Sequence, residues 1–232
     1  MKITKGGPKR RDLKITWLSN SVHSNSGYGV FSRDLLFRMV KDGWPVAQIA
    51  NFGVQGYHVT LNGEDLIDDR FKGCKLKVYP VMNDPYGSDA LVEHSRDFGA
   101  NVSFIMLDIF TQNPQNLSQI KTLIPYIPID KTPTPPMILD RLKYAHKILT
   151  FSRFGKETLL DSGFTSKLIL EGTDTQIFKP MDKKEMRKKY GLPEDAFIFG
   201  MIAANKENPP RKGFQEALEA FKIFSDKHPE AM

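Results

Sequence analysis

The order of periodicities near the start of the chain constrains the fold more than any other feature. Residues 15–18 (ITWL) are a short apolar run, and 19–29 (SNSVHSNSGYG) are polar and glycine-bearing. In 30–41, Phe31, Leu35 and Met39 recur at helical spacing with Val30, Leu36 and Val40 beside them, and Asp42-Gly43 closes the segment. Residues 45–52 are apolar again. Strand, loop, helix and strand make a βαβ unit. Parallel strands need such a crossover, and its right-handed sense lays the helix back onto the sheet. The chain therefore begins a parallel sheet.

The remainder continues the alternation. Residues 101–107 (NVSFIML) form the near-continuous apolar run of a central strand covered on both faces. Strands are also expected at 75–81, 123–129, 146–150 and 167–170, with helices at 88–98 (ending at Gly99), 117–122 and 137–144. Residues 57–61 followed by Asn62-Gly63 suggest a hairpin or inserted flap. A further helix over 153–162 has Ser152 to cap its first turn and Gly163 to end it in a left-handed conformation. Beyond Pro180, residues 182–190 read as a basic helix capped by Asp182, 196–203 as a strand, and 212–227 as an amphipathic helix. The fold class expected is α/β: a Rossmann-like parallel sheet with helices on both faces, plus an orphan strand–helix of a second domain.

Composition narrows the function classes. With 40% hydrophobic and 26% charged residues in 232, the chain is globular rather than disordered. Its one cysteine, Cys74, excludes an internal disulfide and suits a reducing compartment. No apolar run is long enough to span a bilayer, and 1–14 lack the apolar centre of a secretory signal, so a soluble cytoplasmic protein is expected. The net charge of +6 concentrates in Lys2, Lys5, Lys9, Arg10, Arg11 and Lys14, a basic arm around Gly6-Gly7-Pro8. That arm reads either as a solvated tail or as a contact for anionic lipid headgroups, which leaves open a non-catalytic module acting through it on a membrane or protein partner. No aromatics are interleaved with it, so nucleic acid is not an expected partner. His23, His58, His94, His146 and His228 show no ligand spacing, and one cysteine cannot complete a zinc set. No GxSxG elbow or Walker motif is present, and SGYGVF is not the GxGxxG of a dinucleotide enzyme.

Several motifs in order carry a resemblance. SRFGKETLLDSGF (152–164) followed by EGTDTQIFKP (171–180) is similar to the SxFG…G…hGvDtxvFxP segment of the large glycosyltransferase family 4 group, whose fold is called GT-B. Tyr126-Ile127-Pro128-Ile129-Asp130 resembles that family's YxPxD strand end. Tyr190-Gly191-Leu192-Pro193, residues 197–200 and Arg211-Lys212-Gly213 look like the start of its second domain. The basic arm at 1–13 reads as flexible, and the resemblance, which runs from about residue 14, implies an acceptor domain at 14–180, a linker helix at 181–193 and the beginning of a truncated nucleotide-sugar-binding domain at 194–232. The orphan unit cannot bury a core of its own, so either the chain is a fragment of a longer protein or the unit packs on the first domain or on another copy, as a dimer or domain swap.

By the same resemblance the complete enzyme moves a sugar from a nucleotide-diphosphate donor to an acceptor hydroxyl, with retention and without a metal or other cofactor. The acceptor is left open as saccharide, lipid-linked or protein, and the 232-residue chain alone is expected to turn over little. Gly27 and Gly29, in the loop after the first strand, would face the donor diphosphate, with Ser26 where many relatives have another glycine. Arg211 and Lys212 would hold the diphosphate and offset charge on the leaving nucleotide. His23, Tyr28, Asp130 and Glu171 would line the acceptor cleft. Asp108, directly after strand 101–107, is the catalytic candidate, or else a loop carboxylate. Glu171 stands where the family carries a histidine. Asp174 is expected to accept backbone amides of its own turn.

Overall fold

A computed structural model describes residues 12–205, 208 and 211–231. The basic arm expected at 1–13 lies outside the described residues except for Asp12 and Leu13. The chain divides into two compact units, Met1–Asp174 and Thr175–Met232, rather than after residue 180.

The first unit opens as its periodicity predicts. β1 (Ile15–Asn20) leads to α1 (Gly27–Lys41) and back to β2 (Val46–Asn51), which pairs with β1 in parallel. The helix begins three residues ahead of Val30 because the Ser26 hydroxyl accepts the Gly29 amide and caps it. The indole of Trp17 on β1 donates to the Ser32 hydroxyl of α1 at 2.9 Å, fixing the helix on its strand. β3 (Val59–Asn62) is the expected flap, antiparallel to β4 (Lys75–Pro80) at the sheet's edge, with the single turn α2 (Gly63–Leu66) between them. α3 (Ser88–Phe98) stops at Gly99, whose φ of 68° only glycine adopts without strain.

β5 (Val102–Met106) is the central apolar strand. α4 (Pro114–Leu117) follows, displaced from the expected 117–122 because Asn113 caps it and Pro114 takes its first position. β6 (Leu123–Ile127), α5 (Pro136–Leu142), β7 (Ile148–Thr150), α6 (Arg153–Asp161) and β8 (Ser166–Leu168) complete the unit. The Ser152 hydroxyl accepts the Gly155 amide at 2.9 Å as its sequence position implies. The eight strands form one sheet in the order β3-β4-β2-β1-β5-β6-β7-β8, parallel except for β3. This is a Rossmann-like α/β fold.

Alternation along the strands builds a core on each face. Leu18, Ile49, Ile105 and Ile127 point to one, under Leu91 of α3, Leu117 of α4, Leu142 of α5 and Leu159 of α6. Trp17, Ala50, Leu76 and Tyr126 point to the other, under Leu36 and Phe37 of α1. On this second face a largely apolar cavity of about 360 Å³ lies beside α1, over Trp17, Phe104, Tyr126 and Leu149.

In the second unit α7 (Lys183–Tyr190) is capped by Asp182 and ended by Gly191, and α8 (Phe214–Ser225) forms near the expected place. The strand expected at 196–203 does not form: its one pairing among the described residues is an isolated bridge from Phe197 to Ala231. Apolar residues favour a strand, but a ladder requires a neighbour to pair with. None of the unit's described residues is buried.

Candidate functional site

In an open parallel sheet ligands bind at the carboxyl ends of the strands, where the strand order reverses. Here that point lies between β1 and β5, adjacent strands from which the sheet grows in opposite directions. Two loops leave it: 21–26, which leads into α1, and the turn at Leu107-Asp108 after β5.

Tyr28, in the first turn of α1, and Asp108 meet across this point. The tyrosine hydroxyl donates to Oδ1 of Asp108 at 3.4 Å. Burial, then the charge and hydrogen bond of Asp108, then the charges of Glu171 and Asp130, push the Tyr28 hydroxyl far above its ordinary pKa. Asp108 is exposed as a residue. Its carboxyl is nevertheless raised, first by partial loss of water and then by the charge of Asp130, against the lowering effect of the Tyr28 bond. Glu171 is raised by partial burial. The charges of Asp108, Asp130 and Glu171, from three separate segments, are thus all felt at the Tyr28 hydroxyl. Among the described residues no three or more His, Cys, Asp or Glu side chains form a group that could hold a metal ion. Carboxylates beside a phenol can accept and donate hydrogen bonds to a polyhydroxylated ligand.

The two glycines expected in the loop, Gly27 and Gly29, lie instead in the first turn of α1 and do different things. Gly27 is exposed, and a Cβ there would meet nothing within 4 Å. Gly29 is buried, and a Cβ there would strike the carbonyl oxygens of Ser24 and, at 2.7 Å, of Ser21. Close packing of the loop on itself accounts for Gly29, and open space for ligand approach exists only at Gly27. Ser26 is engaged in the cap, with the Asn20 amide donating to its hydroxyl at 2.8 Å. His23 is exposed on the same loop, its amide donating to the Ser21 hydroxyl at 3.3 Å. Arg211 and Lys212 are exposed residues of the second unit, in the turn before α8, where Gly213 adopts a φ of 65°.

The structure also contains a group that the sequence reading assigned otherwise. Asp174 accepts hydrogen bonds from two guanidinium groups: Arg38 of α1 at 3.0 Å, and Arg70 at 2.7 Å from the 3-10 turn Asp69–Phe71. Its side chain is 5% exposed. Asp68 pairs with the same Arg70, and both carboxylates push that guanidinium's pKa upward. Arg38 lies 136 residues from Asp174 in sequence, so no local pattern could reveal the pair.

No protein-family model and no curated protein compared with the chain matches it. Among the described residues no helix is long and apolar enough to cross a membrane.

Proposed function

We propose that the first unit is the acceptor-binding half of a retaining glycosyltransferase that uses a nucleotide-diphosphate sugar. The observation that carries this reading is the Tyr28–Asp108 contact across the β1/β5 switch point, with Asp130 and Glu171 close enough to act on it. A saccharide presents several hydroxyls, each both donor and acceptor, and such a cleft can hold them in a fixed orientation. Asp108, its carboxyl raised, is suited to accept a proton from the acceptor hydroxyl as the glycosidic bond forms. The donor's sugar–phosphate bond breaks on the same face, and the nucleotide diphosphate leaves with the electron pair. Cys74, buried and unpaired, is consistent with a cytoplasmic setting.

The reading is tested by saturation-transfer NMR on the 232-residue chain with a panel of mono- and disaccharides. Wild type is expected to bind at least one of them, and Asp108→Asn to weaken that binding about tenfold, the loss of one charge-assisted hydrogen bond. Absence of saccharide binding in the wild type overturns it. Incubation with nucleotide-diphosphate sugars and any bound saccharide then asks whether transfer occurs.

A further inference from the structure

After β8 the chain does not leave the sheet directly. The Ile169 amide donates to the Thr150 carbonyl at 2.9 Å, and the Ile169 carbonyl accepts the Tyr126 hydroxyl at 2.8 Å. Five residues later Asp174 is held by Arg38 and Arg70 on α1 and its neighbouring turn, and α1 packs over β1 and β2. Residues 169–174 are therefore a strap tied at both ends, running from the β7–β8 side of the sheet back to α1. Leu170, Glu171, Gly172 and Thr173 between the ties are exposed. The first unit ends at Asp174.

We propose that Asp174, clamped by Arg38 and Arg70, is a positioning residue that holds this strap so that Glu171 faces the Tyr28–Asp108 cleft. The role given to Glu171 rests on the glycosyltransferase reading, whereas the mechanical claim does not. The tie at Ile169 fixes one end of the strap only. With four exposed residues between, the direction of Glu171 depends on the second tie. A carboxylate bridging two arginines from different elements has its orientation set by both partners, as a single surface ion pair would not. Glu171 lies within electrostatic reach of the Tyr28 and Tyr126 hydroxyls, whose pKa values its charge helps to raise. Asp174 touches no substrate; it acts through Glu171.

The experiment is a carboxyl-carbon NMR titration of the full chain, with the Glu171 signal assigned by Glu171→Gln. In Asp174→Asn the Glu171 midpoint is expected to fall toward the ordinary glutamate range as the side chain gains water, while the Asp108 midpoint stays raised. Asp174→Glu, which can still bridge the arginines, is expected to restore it. An unchanged Glu171 midpoint in folded Asp174→Asn overturns the proposal. If that variant does not fold, Arg70→Gln, which leaves Arg38 on the carboxylate, is measured in the same way and judged by the same result. Saccharide binding run in parallel separates the two ideas. A moved Glu171 in a protein that binds no saccharide upholds the latch and removes the function reading. Saccharide binding with an unmoved Glu171 removes the latch alone.

Discussion

The Tyr28 hydroxyl stands 3.4 Å from Oδ1 of Asp108, with Tyr28 in the first turn of the helix that follows β1 and Asp108 in the turn that follows β5, on either side of the sheet's point of reversal. A hydrogen bond this long is near the limit of the range, so a ligand hydroxyl can compete for either partner. Tyr28→Phe removes the donor and leaves the ring packed. Saccharide affinity is expected to fall about fivefold, the worth of one net hydrogen bond at about 1 kcal/mol. Titration calorimetry on wild type and variant measures it. Equal affinities would show that the pair merely braces the two loops.

Asp108 links function to stability. Its folded pKa is raised, so the folded protein holds the proton more tightly than the unfolded chain does. Ionisation therefore costs stability above the folded pKa, and that cost disappears as pH falls below the unfolded value of about 3.9. Asp108→Asn is expected to be more stable than wild type at pH 7 and to lose the advantage in acid. Urea midpoints at a series of pH values test this. A variant less stable than wild type at pH 7 would contradict it.

Much of the fold was legible because local chemistry decides it. The change of period between 15–18 and 30–41 marks β1 and α1, Gly99 marks the end of α3, and Ser152 caps α6 as its position suggests. That Asp108 and Asp130 lie at one edge of the sheet was also legible, since residues that follow parallel strands share the carboxyl edge. The Asp174 clamp was not legible, because Arg38 and Arg70 reach it only through the finished fold. The strand expected at 196–203 failed for the converse reason. Its sequence supplies the apolar residues, but a strand also needs a partner, and the single bridge at Phe197 does not provide a ladder. Pro114 drew α4 forward because a capped proline start outweighs a weak periodicity.

His94 gives the first unit an acid-sensitive seam. Its ring stacks on Tyr79 with centroids 4.4 Å apart, and its Nε2 lies 3.1 Å from the Pro80 carbonyl oxygen. Burial lowers its pKa, helped by Lys77 and opposed by the Pro80 contact and by Asp97 and Asp89. The unfolded chain thus takes the proton more readily. The stability this neutral ring contributes is complete above pH 6.5 and declines as pH falls through that value toward the folded pKa. His94→Phe keeps the stacking and removes the titration. It is expected to be about 1 kcal/mol less stable at pH 7, for the lost hydrogen bond, yet to show a flatter urea midpoint between pH 7 and 5. A wild-type midpoint that does not fall over this range would refute the assignment.

Hydrogen exchange distinguishes the two units. Amides of Val102–Met106 lie in a central strand between β1 and β6 and are expected to exchange only through large-scale opening. Amides of 196–203 have a single bridge among them and are expected to exchange close to their intrinsic rates. Comparable protection in the two segments would show that the second unit orders its apolar residues in solution by association, which dilution would then reverse.

The two glycines in the first turn of α1, Gly27 and Gly29, give the sharpest separation of packing from binding. At Gly29 an added methyl group meets the backbone of Ser21 and Ser24, atoms that cannot move without shifting the whole 21–26 loop. Gly29→Ala is therefore expected to cost about 1–3 kcal/mol, as overpacking does, and to lower the urea midpoint. At Gly27 the same methyl enters open space, and alanine suits a helix start better than glycine. Gly27→Ala is expected to leave stability unchanged or raised by up to about 1 kcal/mol. If the loop admits a donor phosphate or sugar oxygen against the backbone at this position, the same stable variant loses ligand affinity. A Gly27→Ala protein that is stable and binds its ligands as wild type does would move the donor contact away from this loop.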